Sequence, residues 1–236
     1  MTRRLATTGQ RLQRGPLLQH FFLTLTSRGA AIRGHVSVRA VPSIPLPDPE
    51  LADDAIRLRE PGEADVPAIT RACQDPLIQR FTFVPVPYSE EDARTFVATA
   101  PRRREAGEAL ALVIAPRDGD ELLGTVGVQR FDREHRTADI GYWVAPGARG
   151  RGAATRAVRL LAPWALRELQ LARIQLDADI DNIPSQRVAE RAGFVREGVL
   201  RSVIEVKGRR WTEVVHSLLP DDLPAGEPPT AGAPRR

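Results

Sequence analysis

Apolar and polar residues alternate in Ala55-Ile-Arg-Leu-Arg-Glu60, the period of a half-buried strand. The period then changes. From Glu63 to Gln74 the apolar positions Val66, Ile69, Ala72 and Cys73 fall on helical spacing, which predicts a helix. Ser89-Glu-Glu-Asp opens a second helix, because Ser89 can cap it and the acids suit its positive end. Three strand-like runs follow, Ala109–Ala115, Leu122–Phe131 and Thr137–Val144. Their short connections predict antiparallel pairing. Gly152 to Leu169 reads as a helix with Ala154, Val158, Leu161, Ala162, Ala165 and Leu169 on one face. Pro163 lies inside it, and a mid-helix proline costs about 3 kcal/mol or more, so a bend is expected there. A strand over Arg173–Ala178 and a helix over Pro184–Ala192 come next. Val195–Val206 and Trp211–Leu218 close the pattern as a hairpin turned at Lys207-Gly208. The predicted order is β-α-α-β-β-β-α-β-α-β-β.

The flanks lack this periodicity. Residues 1–50 are Arg-rich and end in Pro42, Pro45, Pro47 and Pro49, the composition of an extended linker. Arg3-Arg4 before the broken apolar patch Pro16–Leu25 is a faint export-signal pattern, but Gln19 and His20 interrupt the patch. A disordered extension, or an upstream start, is the expectation. Residues 221–236, rich in Pro, Gly and Ala, are expected to be a disordered tail. The patterned domain is residues 51–220.

Charge changes the picture less than the net value of +4 suggests. Residues 1–47 hold seven Arg and no acid, so the remaining 189 residues carry 27 basic and 30 acidic side chains, a balance of −3. That balance gives no support to a nucleic-acid partner. No apolar run is long enough to span a membrane, and a cytoplasmic protein is expected. The single cysteine, Cys73, makes neither a disulfide framework nor a zinc cage; no metal is expected. It reads as a small buried hydrophobe.

Candidate chemistry starts where the fourth strand meets the third helix, at Gly141-Tyr-Trp-Val-Ala-Pro-Gly-Ala-Arg-Gly-Arg-Gly-Ala-Ala154. The first turn of a helix presents unpaired N–H groups and a positive dipole end. Glycines let a ligand approach that backbone, and together these make a diphosphate cradle. Arg149 adds a charge. A Walker loop is excluded, since no Gly-Lys-Ser/Thr follows the glycines. A plain strand–helix connection would use the same residue types. About thirty residues on, Asp181-Asn-Ile-Pro-Ser-Gln-Arg-Val-Ala-Glu-Arg-Ala-Gly-Phe194 is a short helix capped by Asn182, with Pro184 in its first turn and Gly193 at its end.

Together these runs resemble the GNAT (GCN5-related N-acetyltransferase) superfamily, in its RimJ/RimL-type branch. The cofactor motif stands as Arg149-Gly-Arg-Gly152-Ala-Ala154, and the branch pattern as Asn182, Ser185, Gly193 and Phe194 followed by Glu197-Gly198-Val-Leu-Arg201. Gly141-Tyr142-Trp143, Trp211 and Ser217-Leu-Leu219 also match. The resemblance covers roughly residues 55–220; Pro163 departs from it. It implies an α+β fold, with a mixed, mostly antiparallel sheet of about seven strands that splays after the fourth and is flanked by helices. It also implies acetyl-CoA as co-substrate, lying in the gap. The diphosphate would rest on Arg149, Gly150, Arg151, Gly152, Ala153 and Ala154, with the pantetheine beside Trp143, Val144 and Ala145. An N–H near Val144 would hold the thioester oxygen, and Asn182 would bond the pantetheine. Transfer would be direct, without an acyl-enzyme.

The acceptor is narrowed by basicity. An α-amine of pKa about 8 is roughly one-tenth neutral at pH 7, whereas a lysine amine of about 10.4 is neutral in about one part in 2,500. No strong base is evident, which favours a protein or peptide N-terminus. Asp139, on the fourth strand, is the best-placed carboxylate, and a solvated strand residue is its other reading. Many members of that superfamily use a tyrosine after the cofactor helix to protonate the departing thiolate; neither Tyr88 nor Tyr142 lies there, and the resemblance matches Ser185 to the branch's serine, which makes it the candidate donor, directly or through water, or else it satisfies a first-turn backbone group. A small-amine acceptor of aminoglycoside or polyamine type, and a non-catalytic acyl-CoA-binding domain, remain as alternatives. A monomer or homodimer is expected.

Overall fold

The computed structural model describes residues 42–224, and everything below refers to these. Seven strands form one sheet: β1 (Ile56–Arg59), β2 (Ala109–Pro116), β3 (Gly124–Asp132), β4 (Thr137–Val144), β5 (Arg173–Asp179), β6 (Val195–Val206) and β7 (Arg209–Leu218). Their order across the sheet is β1-β2-β3-β4-β5-β7-β6. Every neighbouring pair is antiparallel except β4–β5, which is parallel. That parallel pairing spans only Thr137–Asp139 against Arg173–Gln175. Beyond Asp139 the two strands part, as the resemblance implies, and the sheet becomes a fork.

Five α-helices accompany the sheet: α1 (Val66–Ala72), α2 (Pro76–Phe81), α3 (Glu90–Glu105), α4 (Ala153–Glu168) and α5 (Ile183–Arg191). α3 begins in a capping box, in which Ser89 Oγ accepts from the Asp92 N–H at 3.2 Å and Asp92 Oδ2 accepts from the Ser89 N–H at 2.7 Å. Arg102, Arg103 and Arg104 suit its negative end. Two cores result. Ala157, Val158, Leu161, Ala162 and Ala165 of α4 are buried against β-strand residues such as Val128, Ile140 and Ile174. On the other side, Val66, Ile69 and Cys73 pack with Ile78, Tyr88, Ala93 and Val97. Cys73 is buried there as expected, and burial pushes its thiol up to about 12, an unreactive state.

Three places bear on the sequence reading. α2 is absent from the predicted order. It is one and a half turns long, started by Asp75, whose carboxylate accepts from the Leu77 and Ile78 N–H groups at 3.0 Å each, with Pro76 at the first helical position. Second, α4 runs through Pro163 to Glu168, as the helical period over Gly152–Leu169 predicts. The residues after the proline, Trp164, Ala165 and Leu166, are all buried. Burying each large side chain contributes roughly 1.5–3 kcal/mol, enough to offset the proline. Third, the packed domain starts before Leu51. Ile44 is 1% exposed, and its N–H donates to the Arg104 carbonyl at 3.0 Å while Arg104 Nη1 donates back to the Ile44 carbonyl at 3.1 Å. The tail expected from residue 221 begins later, since Pro220–Asp222 form a short 3-10 turn and Leu223 packs against the α4-side core; the expectations for residues 1–41 and 225–236 fall outside the described residues. Ile44→Ala is expected to lower unfolding free energy by about 2–4 kcal/mol in a urea titration; a change below about 0.5 kcal/mol would return this segment to a passive linker.

Candidate functional site

β4 supplies the first wall of the fork. The Ala145 N–H donates to the Leu123 carbonyl at 2.8 Å, and Val144 sits opposite Gly124. That geometry makes Gly124/Val144 a non-hydrogen-bonded pair, so the Val144 amide turns away from β3. It faces the side from which β5 has departed. An unpaired strand edge therefore opens on the fork. Gly124 is fixed by the same closeness: a Cβ there would lie 2.2 Å from the Trp143 carbonyl oxygen.

The loop after β4 is the candidate cradle. Gly150 has φ +75° and Gly152 φ +80°, a left-handed conformation that glycine adopts without penalty. A Cβ at either would meet nothing within 4 Å, so the loop faces open space. Arg156 N–H is the first to bond back, to the Gly152 carbonyl at 3.0 Å; among the described residues the amides of Gly150 to Ala154 have no acceptor. Arg151 is exposed at this loop. Arg149 is arranged otherwise than its charge alone suggests. Its Nη2 and Nη1 reach Asp75 Oδ1 and Oδ2 at 2.6 and 3.3 Å, and its Nε reaches the Val144 carbonyl at 3.3 Å. Arg149 therefore ties the cradle to the cap of α2, and its guanidinium beside Asp75 holds that carboxyl below the usual range.

The second wall is β5 with α5. Asn182 Oδ1 accepts from the Ser185 N–H at 3.3 Å, which is its capping role. Ser185 Oγ accepts a hydrogen bond from the Tyr142 hydroxyl at 2.9 Å, joining α5 to β4 across 43 residues. Trp143 points to the opposite face, against the α1–α3 core, with Ala145. Of the residues expected from the sequence, Trp143 to Ala145 lie at the end of β4, Arg149 to Ala154 in the loop that follows and the start of α4, Asn182 and Ser185 at the start of α5, and Asp139 at the fork's root.

Asp139 is the last residue of β4 that pairs with β5, where it lies opposite Gln175. Its Oδ2 forms an ion pair with Arg130, 2.6 Å from Nε. Burial pushes its carboxyl up to about 6; Arg130 opposes the rise and Asp177 adds to it. Asp177 and Glu213 are carboxylates that sequence reasoning misses. Glu213 is raised as well, first by burial and then by Asp177. Asp177 Oδ2 accepts from Gln175 Nε2 at 2.9 Å, while its buried Oδ1 has no partner among the described residues. Above this group, Phe83 and Trp211 stack with centroids 5.6 Å apart, and the Arg130 guanidinium lies 6.0 Å from the Phe83 ring centre. Strand alternation across β4, β5 and β7 was the available signal, but it needs the strand order to be read.

Among the described residues no group of three or more His, Cys, Asp or Glu is arranged to hold a metal, and no helix is long and apolar enough to cross a membrane.

Residues 55–195 match the model of the acetyltransferase (GNAT) domain. The ribosomal-protein-serine acetyltransferase of Escherichia coli is 33% identical over 113 residues, 48% of this chain and 62% of that protein. YdaF of Bacillus subtilis, named as a candidate ribosomal N-acetyltransferase, is 39% identical over 98 residues, 42% of this chain; the match spans 54% of that relative. The uncharacterized N-acetyltransferase YoaA of the same organism is 28% identical over 171 residues, 72% of this chain and 97% of its own. Among solved structures, Mycobacterium smegmatis RimJ in complex with CoA-disulfide superposes with TM-score 0.65 at 25% identity, covering 72% of this chain and 84% of that one.

Proposed function

The chain belongs to the GNAT acetyltransferase family, and from that premise we propose that this N-acetyltransferase moves the acetyl group of acetyl-CoA directly to a protein or peptide N-terminal α-amine. The observation that carries the reading is the fork itself, open between a loop of unpaired amides and the half-buried Asp139 carboxylate, which burial raises to about 6. The cofactor's diphosphate rests on the amides of Gly150, Gly152, Ala153 and Ala154 and on exposed Arg151, while Arg149 holds the loop in place through Asp75. The pantetheine lies along Trp143, Val144 and Ala145, adding a strand to the open edge, and Asn182 bonds it from the other wall. The Val144 N–H faces the thioester oxygen and stabilises the charge that develops there.

The amine enters from the face carrying Asp139, Asp177 and Glu213. This acidic group attracts a cationic N-terminus. Asp139, five residues along β4 from Val144, takes the amine's proton through intervening water as nitrogen attacks the carbonyl carbon. The intermediate collapses with cleavage of the C–S bond, and sulfur leaves as a thiolate facing Ser185. Relatives named for ribosomal proteins support a protein acceptor and hence a cytoplasmic setting. Aminoglycosides and polyamines are cationic too, and would suit the same carboxylates.

Ser185→Ala is expected to lower kcat by up to about 10²-fold with acetyl-CoA affinity nearly unchanged, since a thiol of pKa about 8.5 is already a fair leaving group. Unchanged kcat, where chemistry limits turnover, would leave Ser185 with its backbone role alone. The acceptor is tested by mass spectrometry of protein N-termini from cells with and without this enzyme. Acetylation lost from a defined set of N-termini supports the reading, and unaltered N-termini contradict it.

A further inference from the structure

We propose that Tyr142 is a positioning residue for the leaving group, holding the Ser185 hydroxyl so that its O–H donates to the sulfur of departing CoA. The proposal rests on the reading that CoA lies in the fork. It starts from the hydrogen bond across the walls, in which the Tyr142 hydroxyl donates to Ser185 Oγ at 2.9 Å. A serine hydroxyl has one hydrogen and two acceptor sites. Having accepted from Tyr142, Ser185 must direct its own hydrogen to a third group. In a helix that group is often the carbonyl four residues back. For Ser185 this is Asp181, and no such bond exists among the described residues, where Ser185 Oγ has Tyr142 as its sole partner. Both residues are part-buried rather than sealed in the core, so the uncommitted hydrogen lies where the fork can present an acceptor.

The tyrosine suits a fixed donor. Its ring packs against the α4-side core, which holds the hydroxyl's position. Burial pushes the phenol up to about 12, so it stays protonated through the working pH range. For the same reason it is not itself the acid: proton transfer from such a phenol to a thiolate of pKa about 8.5 is uphill by more than about three orders of magnitude. The C–S electron pair stays on sulfur, the Ser185 O–H stabilises it, and the thiolate takes its proton from water after release. A hydroxyl that accepts one hydrogen bond is a better donor of the next, which is how Tyr142 acts through Ser185. The chain's other tyrosine, Tyr88, is buried with Cys73 in the opposite core and cannot substitute.

The test needs CoA and no acceptor. The thiol of bound CoA is titrated by the ultraviolet absorbance of its thiolate on the full chain. Ser185→Ala should raise the bound thiol's pKa by about one unit, a tenfold loss of thiolate preference, as expected for a hydrogen bond to a charged atom. Tyr142→Phe should raise it by about half that amount, and the double variant should match Ser185→Ala, because Tyr142 acts only through the serine. Ser185→Thr, which keeps the hydroxyl, should retain the low value and show that the effect is not one of folding. A Tyr142→Phe value equal to wild type, or a further rise in the double variant over Ser185→Ala, would overturn the proposal while leaving the cofactor site intact. Failure of the wild-type chain to bind CoA would overturn both.

Discussion

Gly152→Glu is expected to abolish acetyl-CoA binding, weakening it at least about a hundredfold, while the domain stays folded. Gly152 precedes α4 with φ +80°, and a side chain there is strained by about 1–2 kcal/mol. A Cβ meets nothing within 4 Å, so strain is the whole structural penalty. For a domain of this size it corresponds to a fall in Tm of about 2–8 °C. The effect on the ligand is larger for a separate reason. The substituted carboxylate would take the amides of the helix start for itself and repel the diphosphate that should occupy them. Gly152→Ala carries the strain without the charge and should lose much less affinity. Isothermal titration of wild type and the two variants separates the terms, and normal affinity in Gly152→Glu would remove the cradle from the account.

Asp139→Asn carries the second large effect, a fall in kcat/KM of about 10²–10³-fold near neutral pH. The pH profile distinguishes a base from a structural partner of Arg130. An α-amine of pKa about 8 makes log kcat/KM fall with slope one as pH drops below that value. Asp139 is raised to about 6, so below that pH its own protonation removes the base and the slope steepens to two. The Asn variant should keep the first break and lose the second. A second break that persists near pH 6 in Asp139→Asn would assign it to another group. The same raised value has a stability consequence of opposite sign to that of an ordinary ion-paired carboxylate. The folded state holds this proton more tightly than the unfolded one, so the contribution is fully present below about pH 4 and is lost as pH rises through about 6.

Most strands and the long helices are legible in the sequence because each repeats its period several times before a turn. The six-residue α2 is too short to show a helical period, although Asp75-Pro76 is a readable start signal. Ile44 sits alone between prolines, and only the tertiary fold reveals that Arg104 receives its backbone. Within the site, the cradle is legible because its chemistry is local: glycines, a helix start and a strand end within a dozen residues. The partner of Arg149 is not, since Asp75 lies 74 residues away. The Tyr142–Ser185 bond and the convergence of Asp139, Asp177 and Glu213 depend on strand order and on which side of the sheet each residue faces. Periodicity gives the alternation of faces but not which strands are neighbours.

The most direct measurement of the central claim uses two matched peptides, one with a free N-terminus and blocked lysines, the other with a blocked N-terminus and free lysines. Each is incubated with the full chain and acetyl-CoA, and the site of modification is located by tandem mass spectrometry. Acetyl transfer to the α-amine of the first peptide, with little or none to the second, is the predicted result. Acetylation of lysine alone, or turnover confined to polyamines or aminoglycosides in parallel reactions, would contradict it.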